Sequence, residues 1–421
     1  MCIRDRDEGL EVTETQKNAV DGNNIVTTLD YNVQSIIEKC ILEYNEEKPS
    51  KNTAVVVADP SNGEILGMAS YPTFNLNDPR KLTGMYTDEE IKDMSDEEYR
   101  NNLYSLWTNY CVSESYEPGS TFKPVTVASA LEEGVVKDGD TYVCKGFETV
   151  ADYKLKCHVF STIGSHGSLT VEQALMNSCN PYMIHLALEM GNSRFAYYQS
   201  LFGFGKITGI DLPGETTGIV YGDRMTTIDA ACNSFGQTIN VNMMQMMAAY
   251  CSIINGGMLY QPHIVKRIES ANGEVVKEYK ANLVRQTITA STSKLLRRYL
   301  KNTVEEGTAK KAGVTGYSVA GKTGTAQKGD RKDNKWIISF IGHAPAENPK
   351  FAIYVVIDEP YGTTGTSGSS ADVLTLTHNI LEKLLPYMNV YKDASDEYED
   401  TSSSPDELTV DGIPAGTASS N

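Results

Sequence analysis

Three short motifs carry the side chains that could do chemistry. Ser120 and Lys123 form an S-x-x-K motif in EPGSTFKP, Ser178 and Asn180 form an S-x-N motif, and K-T-G begins at Lys322. A serine hydroxyl is a poor nucleophile until a base lies beside it. A lysine three residues later on a helix lies on the same face and can reach that hydroxyl. The motifs therefore indicate covalent catalysis by an activated serine.

The first two motifs also occur elsewhere in the chain. A second S-x-x-K begins at Ser291, but no S-x-N lies between it and Lys322. Additional S-x-N triplets begin at Ser50, Ser270 and Ser419. The first of these precedes Ser120, the second falls in the turn-like stretch ESANGE, and the third follows K-T-G. The set that starts at Ser120 is the one that keeps the order and leaves room for three walls around one cleft.

The third motif also fits a different chemistry. Residues 316–323, GYSVAGKT, match the phosphate-loop pattern G-x-x-x-x-G-K-S/T, and FAIYVVIDE at 351–359 could be the acidic strand that serves Mg²⁺. A phosphate loop should follow a buried strand and open a helix. Here KKAGVT precedes the loop, and GTAQKGDRKDN follows it with two glycines and a charge run. We therefore favour an edge-type strand over 317–326 and keep the nucleotide-binding protein as an alternative.

Composition limits the class of function. With 421 residues, 40% hydrophobic and 22% charged, the chain can bury a sizeable core. Its formal net charge of −18 argues against a nucleic-acid partner. No apolar run approaches the roughly 18 residues of a membrane span. Neither C-x-x-C nor H-E-x-x-H occurs, so we expect no metal and no cofactor.

Apolar patterning predicts the elements that position the motifs. Strands are expected near 53–58 and 64–70, joined at Asn62-Gly63, and again at 317–326, 336–343 and 351–358. The middle of the chain is mostly helical in pattern, with helices expected at 120–133, 170–178, 181–190, 193–202, 240–255 and 290–305, and a late helix at 374–388. The economical fold is α/β of the α+β kind: one five-stranded antiparallel sheet flanked by helices, with a mostly helical insertion.

The two ends of the chain differ from the rest. Residues 1–22 begin with MCIRDRDEGLEV, which lacks the apolar stretch of a signal peptide, and we expect a remnant or disordered segment. Residues 391–421 are acidic and Ser-rich, which predicts a disordered tail. The folded domain is accordingly expected at 23–390.

Over that range the chain resembles the transpeptidase domain of class B penicillin-binding proteins. The likeness includes the segments around the motifs, in the family's order: TTLDYNVQ, AVVVADPSNGEILGMASYPTFNLNDPR, YEPGSTFKP, HGSLTVEQALMNSCNPY, GIDLPGE and VAGKTGTAQ. Within the division/sporulation type, the cysteine inside S-x-N and the nearby cysteines are similar to those of the sporulation-type members. The resemblance implies the penicillin-binding protein/β-lactamase-like fold. It also implies an N-terminal truncation, since the family's anchor helix and pedestal domain are not recognisable.

The resemblance assigns a role to each motif. Ser120 would attack the penultimate D-alanine carbonyl, and Lys123 would be its base, with a pKa lowered by burial and by a second cation nearby. Ser178 would relay a proton to the departing amine, and Asn180 would hold Lys123 and the substrate amide. The backbone amides of Ser120 and Thr325 would form an oxyanion hole. The substrate-binding strand, which would take the terminal carboxylate, comprises Lys322, Thr323, Gly324 and Thr325.

The implied activity is peptidoglycan D,D-transpeptidation through a serine acyl-enzyme, which β-lactams would block covalently. The implied partners are D-Ala-D-Ala stem peptides, a membrane glycan polymerase and other cell-wall machinery. The implied location is the extracytoplasmic face of the bacterial membrane. A β-lactamase or β-lactam sensor of the same fold and a non-catalytic scaffold are the alternatives. The acceptor amine and the choice among division, elongation and sporulation stay open.

Three cysteines form a candidate redox site. Cys179 is the middle residue of S-x-N, and Cys157 and Cys144 precede it in the chain. In an exported domain close cysteines can pair. A bridge to Cys179 would displace Ser178 and Asn180 by the ~1 Å that matters for catalysis. The alternative is that Cys179 is only a small packed side chain.

Overall fold

The computed structural model describes residues 21–82, 86–329, 335–360 and 369–392. The expected N-terminal remnant (1–22) and acidic tail (391–421) lie almost entirely outside the described residues, so these two boundaries stay predictions.

The strands are β1 (Asn24–Thr27), β2 (Ser50–Ala58), β3 (Ile65–Tyr71), β4 (Thr141–Cys144), β5 (Phe147–Val150), β6 (Tyr153–Lys156), β7 (Gly167–Thr170), β8 (Met258–Tyr260), β9 (Val265–Glu269), β10 (Val275–Glu278), β11 (Leu283–Gln286), β12 (Ala320–Lys328), β13 (Lys335–Ala344) and β14 (Phe351–Pro360). The helices are α1 (Tyr31–Glu47), α2 (Asp88–Asp93), α3 (Asp96–Trp107), α4 (Tyr110–Ser113), α5 (Lys123–Glu133), α6 (Val171–Met176), α7 (Asn180–Met190), α8 (Asn192–Leu201), α9 (Thr227–Asn233), α10 (Met243–Ile254), α11 (Ala290–Glu305) and α12 (Ala371–Tyr387).

The predicted five-stranded sheet is present, in the order β12-β13-β14-β2-β3 and antiparallel throughout. Side chains alternate between its two faces along each strand. On β2, Val55 and Val57 pack into a core shared with α1 and α12, whereas Ala54 and Val56 pack into the core of the helical region. Because both faces are covered, the inner strands β13 and β14 are apolar nearly throughout.

The helical region behind the sheet is built around α10. Its sequence, MMQMMAAYCSII, has no polar face, and all of its residues are buried. Asn242 caps its first turn, with the side-chain oxygen accepting from the Gln245 backbone amide at 2.7 Å. Helices α5 and α11 pack against it, so the helix that follows Ser120 rests on the largest core of the molecule.

Strand β12 lies at the edge of the sheet, as its sequence predicted. Lys322 is in mid-strand, and the chain continues as a strand to Lys328. The phosphate-loop interpretation of 316–323 is therefore wrong, because no helix opens after the lysine to hold a phosphate.

The described ranges also contain four small sheets, β1-β9-β10, β8-β11, β4-β7 and β5-β6, of which only the β-like pattern of IVTTLD at β1 gave a sign. Their strands have three to five residues and are mostly exposed or half-buried, so they show neither a long apolar run nor a clear alternation. The β5-β6 hairpin needs a glycine at position 146, since a Cβ there would lie 2.0 Å from the Gly164 carbonyl oxygen. The sheets β4-β7 and β5-β6 flank the S-x-N motif.

Candidate active site

Ser120 lies in a 3-10 turn, Gly119–Phe122, that runs directly into α5. Gly119 has a φ of +56°, and a Cβ at this position would be 2.6 Å from the Thr325 carbonyl oxygen. Only glycine allows the turn to approach β12 so closely. Lys123, the first residue of α5, is completely buried, while Ser120 is partly exposed. The S-x-x-K spacing therefore crosses a junction between a turn and a helix, where one α-helix was expected.

The Lys123 amine connects the first two motifs. Its Nζ donates to the Ser178 carbonyl oxygen at 2.7 Å, to the Ser178 Oγ at 3.0 Å and to the Asn180 Oδ1 at 2.7 Å. The Ser178 Oγ donates in turn to the Ser120 Oγ at 3.0 Å. Within the described part of the chain, the lysine thus reaches Ser120 through Ser178 and not by the direct contact that the i, i+3 spacing predicted.

Ser178 has a strained backbone, with a φ of +55°. It links α6 to α7, and its left-handed turn brings both its carbonyl and its hydroxyl to Lys123. A left-handed non-glycine residue costs about 1–3 kcal/mol, which the surrounding contacts must offset. The sequence predicted the two helices but not this strained link, because the conformation is imposed by distant residues.

The third wall of the cleft is strand β12. The Lys322 Nζ is fully buried and donates to the Thr323 carbonyl oxygen at 3.0 Å and to its Oγ1 at 3.3 Å. The Thr323 Oγ1 donates to the Thr308 Oγ1 at 3.4 Å. Thr308 was not among the predicted site residues. A Cβ on Gly324 would lie 2.5 Å from the Ser339 Oγ and 2.9 Å from the Pro118 carbonyl oxygen. The glycine of K-T-G thus lets the strand pass beside the Ser120 turn.

Both lysines have lowered pKa values. Burial lowers the pKa of Lys123 to about 8, although Cys157 and Cys179 oppose this change. The pKa of Lys322 falls well below its ordinary value because of burial and, secondarily, because of the charge on Lys123. A second cation was expected to lower the pKa of Lys123. The repulsion between the two amines instead contributes to the lowered pKa of Lys322.

The three candidate redox cysteines lie together behind the S-x-N motif. Cys144, Cys157 and Cys179 are all buried and have free thiols. His166, which the sequence analysis did not single out, places its Nδ1 at 3.5 Å from the Cys157 Sγ and 3.8 Å from the Cys144 Sγ. A hydrogen bond with the Cys179 thiol, helped by His158 and His166, lowers the pKa of Cys157. The predicted disulfide is not formed in this state and stays a prediction.

The additional copies of the motifs lie elsewhere. Ser291 and Lys294 are both exposed on α11. Ser50 begins β2, and Ser270 lies in the predicted turn between β9 and β10. The copy that begins at Ser419 is outside the described residues. The structure therefore brings together the residues of the ordered set and leaves Ser291 and Lys294 exposed on a helix surface.

The family comparison agrees with this geometry. Residues 53–382 match the family model described as the penicillin-binding protein transpeptidase domain. The chain belongs to this family. It is 38% identical over 377 residues to stage V sporulation protein D of Bacillus subtilis, covering 88% of this chain and 54% of that protein. It is 29% identical over 390 residues to the peptidoglycan D,D-transpeptidase FtsI of Escherichia coli, covering 91% and 59%.

Solved structures of the family share the fold. Penicillin-binding protein 3 of Mycobacterium tuberculosis, in complex with ampicillin, matches with a TM-score of 0.77 and 27% identity over 90% of this chain and 82% of that one. The chain spans a little over half the length of the curated relatives named above. None of the helices in the described ranges is long and apolar enough to cross a membrane.

Proposed function

We propose that this penicillin-binding protein domain is a peptidoglycan D,D-transpeptidase that works through an acyl-enzyme on Ser120. The observation that supports this best is the hydrogen-bonded line from the Lys123 Nζ through the Ser178 Oγ to the Ser120 Oγ, with two steps of 3.0 Å each. A base, a relay and a nucleophile in one line are what serine acyl transfer requires. Two relatives lend support: the FtsI protein is named a peptidoglycan D,D-transpeptidase, and the M. tuberculosis protein is solved with ampicillin.

In the first step, the Ser120 Oγ attacks the carbonyl of the penultimate D-alanine. Its proton passes through the Ser178 hydroxyl to the neutral Lys123 amine, and then to the nitrogen of the departing D-alanine as the C–N bond breaks. The backbone amides of Ser120 and Thr325 would stabilise the oxyanion. Removing one such donor typically costs about 2.7–4 kcal/mol.

Lys322 would recognise the terminal carboxylate of the substrate. Its amine is fully buried, and its hydrogen bonds go to uncharged oxygens of Thr323. Among the described residues no carboxylate pairs with this amine, so an anionic ligand would raise its pKa and bind as an ion pair. A carboxylate one residue beyond the attacked carbonyl would meet this amine, since Thr325 and Gly119 bring β12 against the Ser120 turn.

In the second step, an amine of a neighbouring stem peptide takes the acyl group and forms the cross-link. A β-lactam would acylate Ser120 in the same way and leave the enzyme blocked. The activity implies a location on the extracytoplasmic face of the bacterial membrane and a membrane glycan polymerase that supplies the strands to be joined. These two points rest on the proposed chemistry.

Labelling with a fluorescent penicillin tests the proposal. The wild-type chain should become covalently labelled and stay labelled, and Ser120→Ala should abolish the label. The matched control is Ser291→Ala, the serine of the second S-x-x-K, which should label like wild type. Rapid loss of the label with hydrolysed antibiotic would indicate a β-lactamase, and a wild-type chain that never labels would indicate a scaffold. Either result would overturn the proposal.

A further inference from the structure

Four potential metal ligands meet directly behind the S-x-N wall. Cys144 ends β4, Cys157 follows β6, His166 precedes β7, and Cys179 immediately precedes α7. Their ligating atoms, three Sγ and one imidazole nitrogen, all lie within 4.8 Å of one another. The three cysteines are at most 3% exposed, and His166 is half-buried. Two small two-stranded sheets and a helix end thus converge on one small space, which we call the Cys3His cluster.

The spacing of the ligand atoms fits a tetrahedral metal site. With Zn–S bonds of ~2.3 Å and Zn–N bonds of ~2.0–2.1 Å, the ligand atoms of a tetrahedron are separated by about 3.6–3.8 Å. The His166 Nδ1 lies 3.8 Å from the Cys144 Sγ and 3.5 Å from the Cys157 Sγ. These distances are close to the expected values before any ligand moves.

Polar groups lie within hydrogen-bonding distance of the sulfurs, as they do around the ligands of structural metal sites. The Gly146 backbone amide donates to the Cys144 Sγ at 3.4 Å. The His158 Nδ1 lies 3.8 Å from the Cys157 Sγ. Cys179 is the N-cap residue of α7, where the helix dipole stabilises negative charge. Such outer hydrogen bonds to sulfur are typical of structural metal sites.

We propose that Cys144, Cys157, His166 and Cys179 bind one Zn²⁺ ion as a closed structural site that holds the S-x-N wall in place. Three thiolates and one imidazole select zinc over Mg²⁺ or Ca²⁺, which prefer oxygen ligands. The expectation of no metal rested on the lack of C-x-x-C and H-E-x-x-H motifs. The four ligands here come from separate elements of the chain, so no short sequence motif contains them. A disulfide would use two of the sulfurs and leave His166 and the third thiol without a role.

The ion would position catalytic groups, a consequence that rests on the proposed function. Cys179 stands between Ser178 and Asn180, and both of these bind the Lys123 amine. Fixing the Cys179 sulfur therefore fixes the two neighbours that orient the base. A displacement of ~1 Å in such a group can cost about a hundredfold in rate. Loss of the metal should accordingly slow acylation more than it weakens initial β-lactam binding.

The metal content of the whole chain, purified under reducing conditions without chelators, tests the site. We expect one zinc per chain by plasma mass spectrometry. Replacement by Co²⁺ should give the visible absorption of tetrahedral thiolate coordination. Cys144→Ser and His166→Ala should lower the zinc content, whereas Cys232→Ser, a thiol outside the Cys3His cluster, should retain one zinc. Wild-type chain that holds no zinc after zinc supplementation, or a Cys157–Cys179 disulfide found by peptide mapping of that reduced preparation, would overturn the proposal.

Acylation kinetics test the positioning role separately. Zinc-stripped chain should be acylated by penicillin about tenfold to a hundredfold more slowly than zinc-loaded chain, and readdition of Zn²⁺ should restore the rate. One zinc per chain with equal acylation rates in both states would overturn the positioning role. One zinc per chain with no acylation at all would overturn the transpeptidase proposal and leave the metal site intact.

Discussion

The two walls that flank Ser120 are held by different means. Strand β12 pairs with β13 from Ala320 to Lys328, so the backbone ladder of the central sheet holds the K-T-G wall. The S-x-N wall is a strained turn between α6 and α7, beside two small sheets whose strands have four residues each. A wall built into a sheet is rigid without help from side chains. A wall built from a turn depends on a few side-chain contacts, here Lys123 and the Cys3His cluster.

The largest expected effect comes from the wall that depends on side chains. Ser178→Ala removes the hydroxyl that joins the Lys123 Nζ to the Ser120 Oγ. Because proton transfer by a positioned group contributes about 10²-fold or more, penicillin acylation should slow by at least that factor. Stopped-flow labelling measures the rate. A rate within threefold of wild type would show that Lys123 takes the Ser120 proton without the relay.

On the K-T-G wall, a substitution should mainly weaken recognition of the substrate carboxylate. Lys322→Ala removes a buried donor to the substrate carboxylate, and hydrogen bonds to charged groups are worth about 1.5–3 kcal/mol. Acylation by carboxylate-bearing β-lactams should therefore fall about tenfold to a hundredfold, with the strand itself intact. Lys294→Ala, an exposed lysine of the second S-x-x-K, is the control and should match wild type.

Calorimetry with Mg²⁺-ATP separates the two chemistries that the Lys322 motif suggested. We expect no binding by either wild type or Lys322→Ala. Binding by wild type that disappears in the variant would contradict carboxylate recognition by this lysine.

The acylation rate should also depend on pH through the S-x-N wall, which holds the Lys123 amine. Only the neutral amine accepts a proton, and its pKa is lowered by burial to about 8. The neutral fraction, and with it the rate, should rise about tenfold between pH 7 and pH 9. The charged or titratable neighbours are Lys322, Cys157 and Cys179. The rate at each pH is corrected with a protein-free β-lactam blank. A corrected rate that stays flat or falls over this range would refute Lys123 as the base.

The smallest expected effect is on stability and isolates the strained turn. Ser178→Gly and Ser178→Ala both lack the hydroxyl, but glycine adopts the φ of +55° without the Cβ penalty. The glycine variant should therefore be more stable than the alanine variant by about 1–2 kcal/mol in urea unfolding. Equal stabilities would mean that the turn relaxes and that this wall is softer than the contacts suggest.

The same contrast explains how much the sequence could predict. The four strands of the central sheet other than the K-T-G strand carry apolar runs, so their positions were predicted to within a few residues. The residues on either side of the K-T-G motif favoured a strand over a phosphate loop, and the structure confirms the strand. The S-x-N side was harder. The positive φ of Ser178 accompanies a contact with Lys123, which is 55 residues away in the chain. The approach of His166 to Cys157 depends on four-residue strands that are too short to leave a clear pattern.

The space around Gly324 restricts how this domain can change under antibiotic selection. Every missense change of a glycine codon adds at least a Cβ, and here that atom would meet the backbone of the Ser120 turn at Pro118. A resistant lineage that altered this position would disturb its own nucleophile. Substitution is easier at the partly exposed positions of this strand, such as Thr325, so a drug that depends on the shape of the strand at Gly324 would leave few routes to resistance.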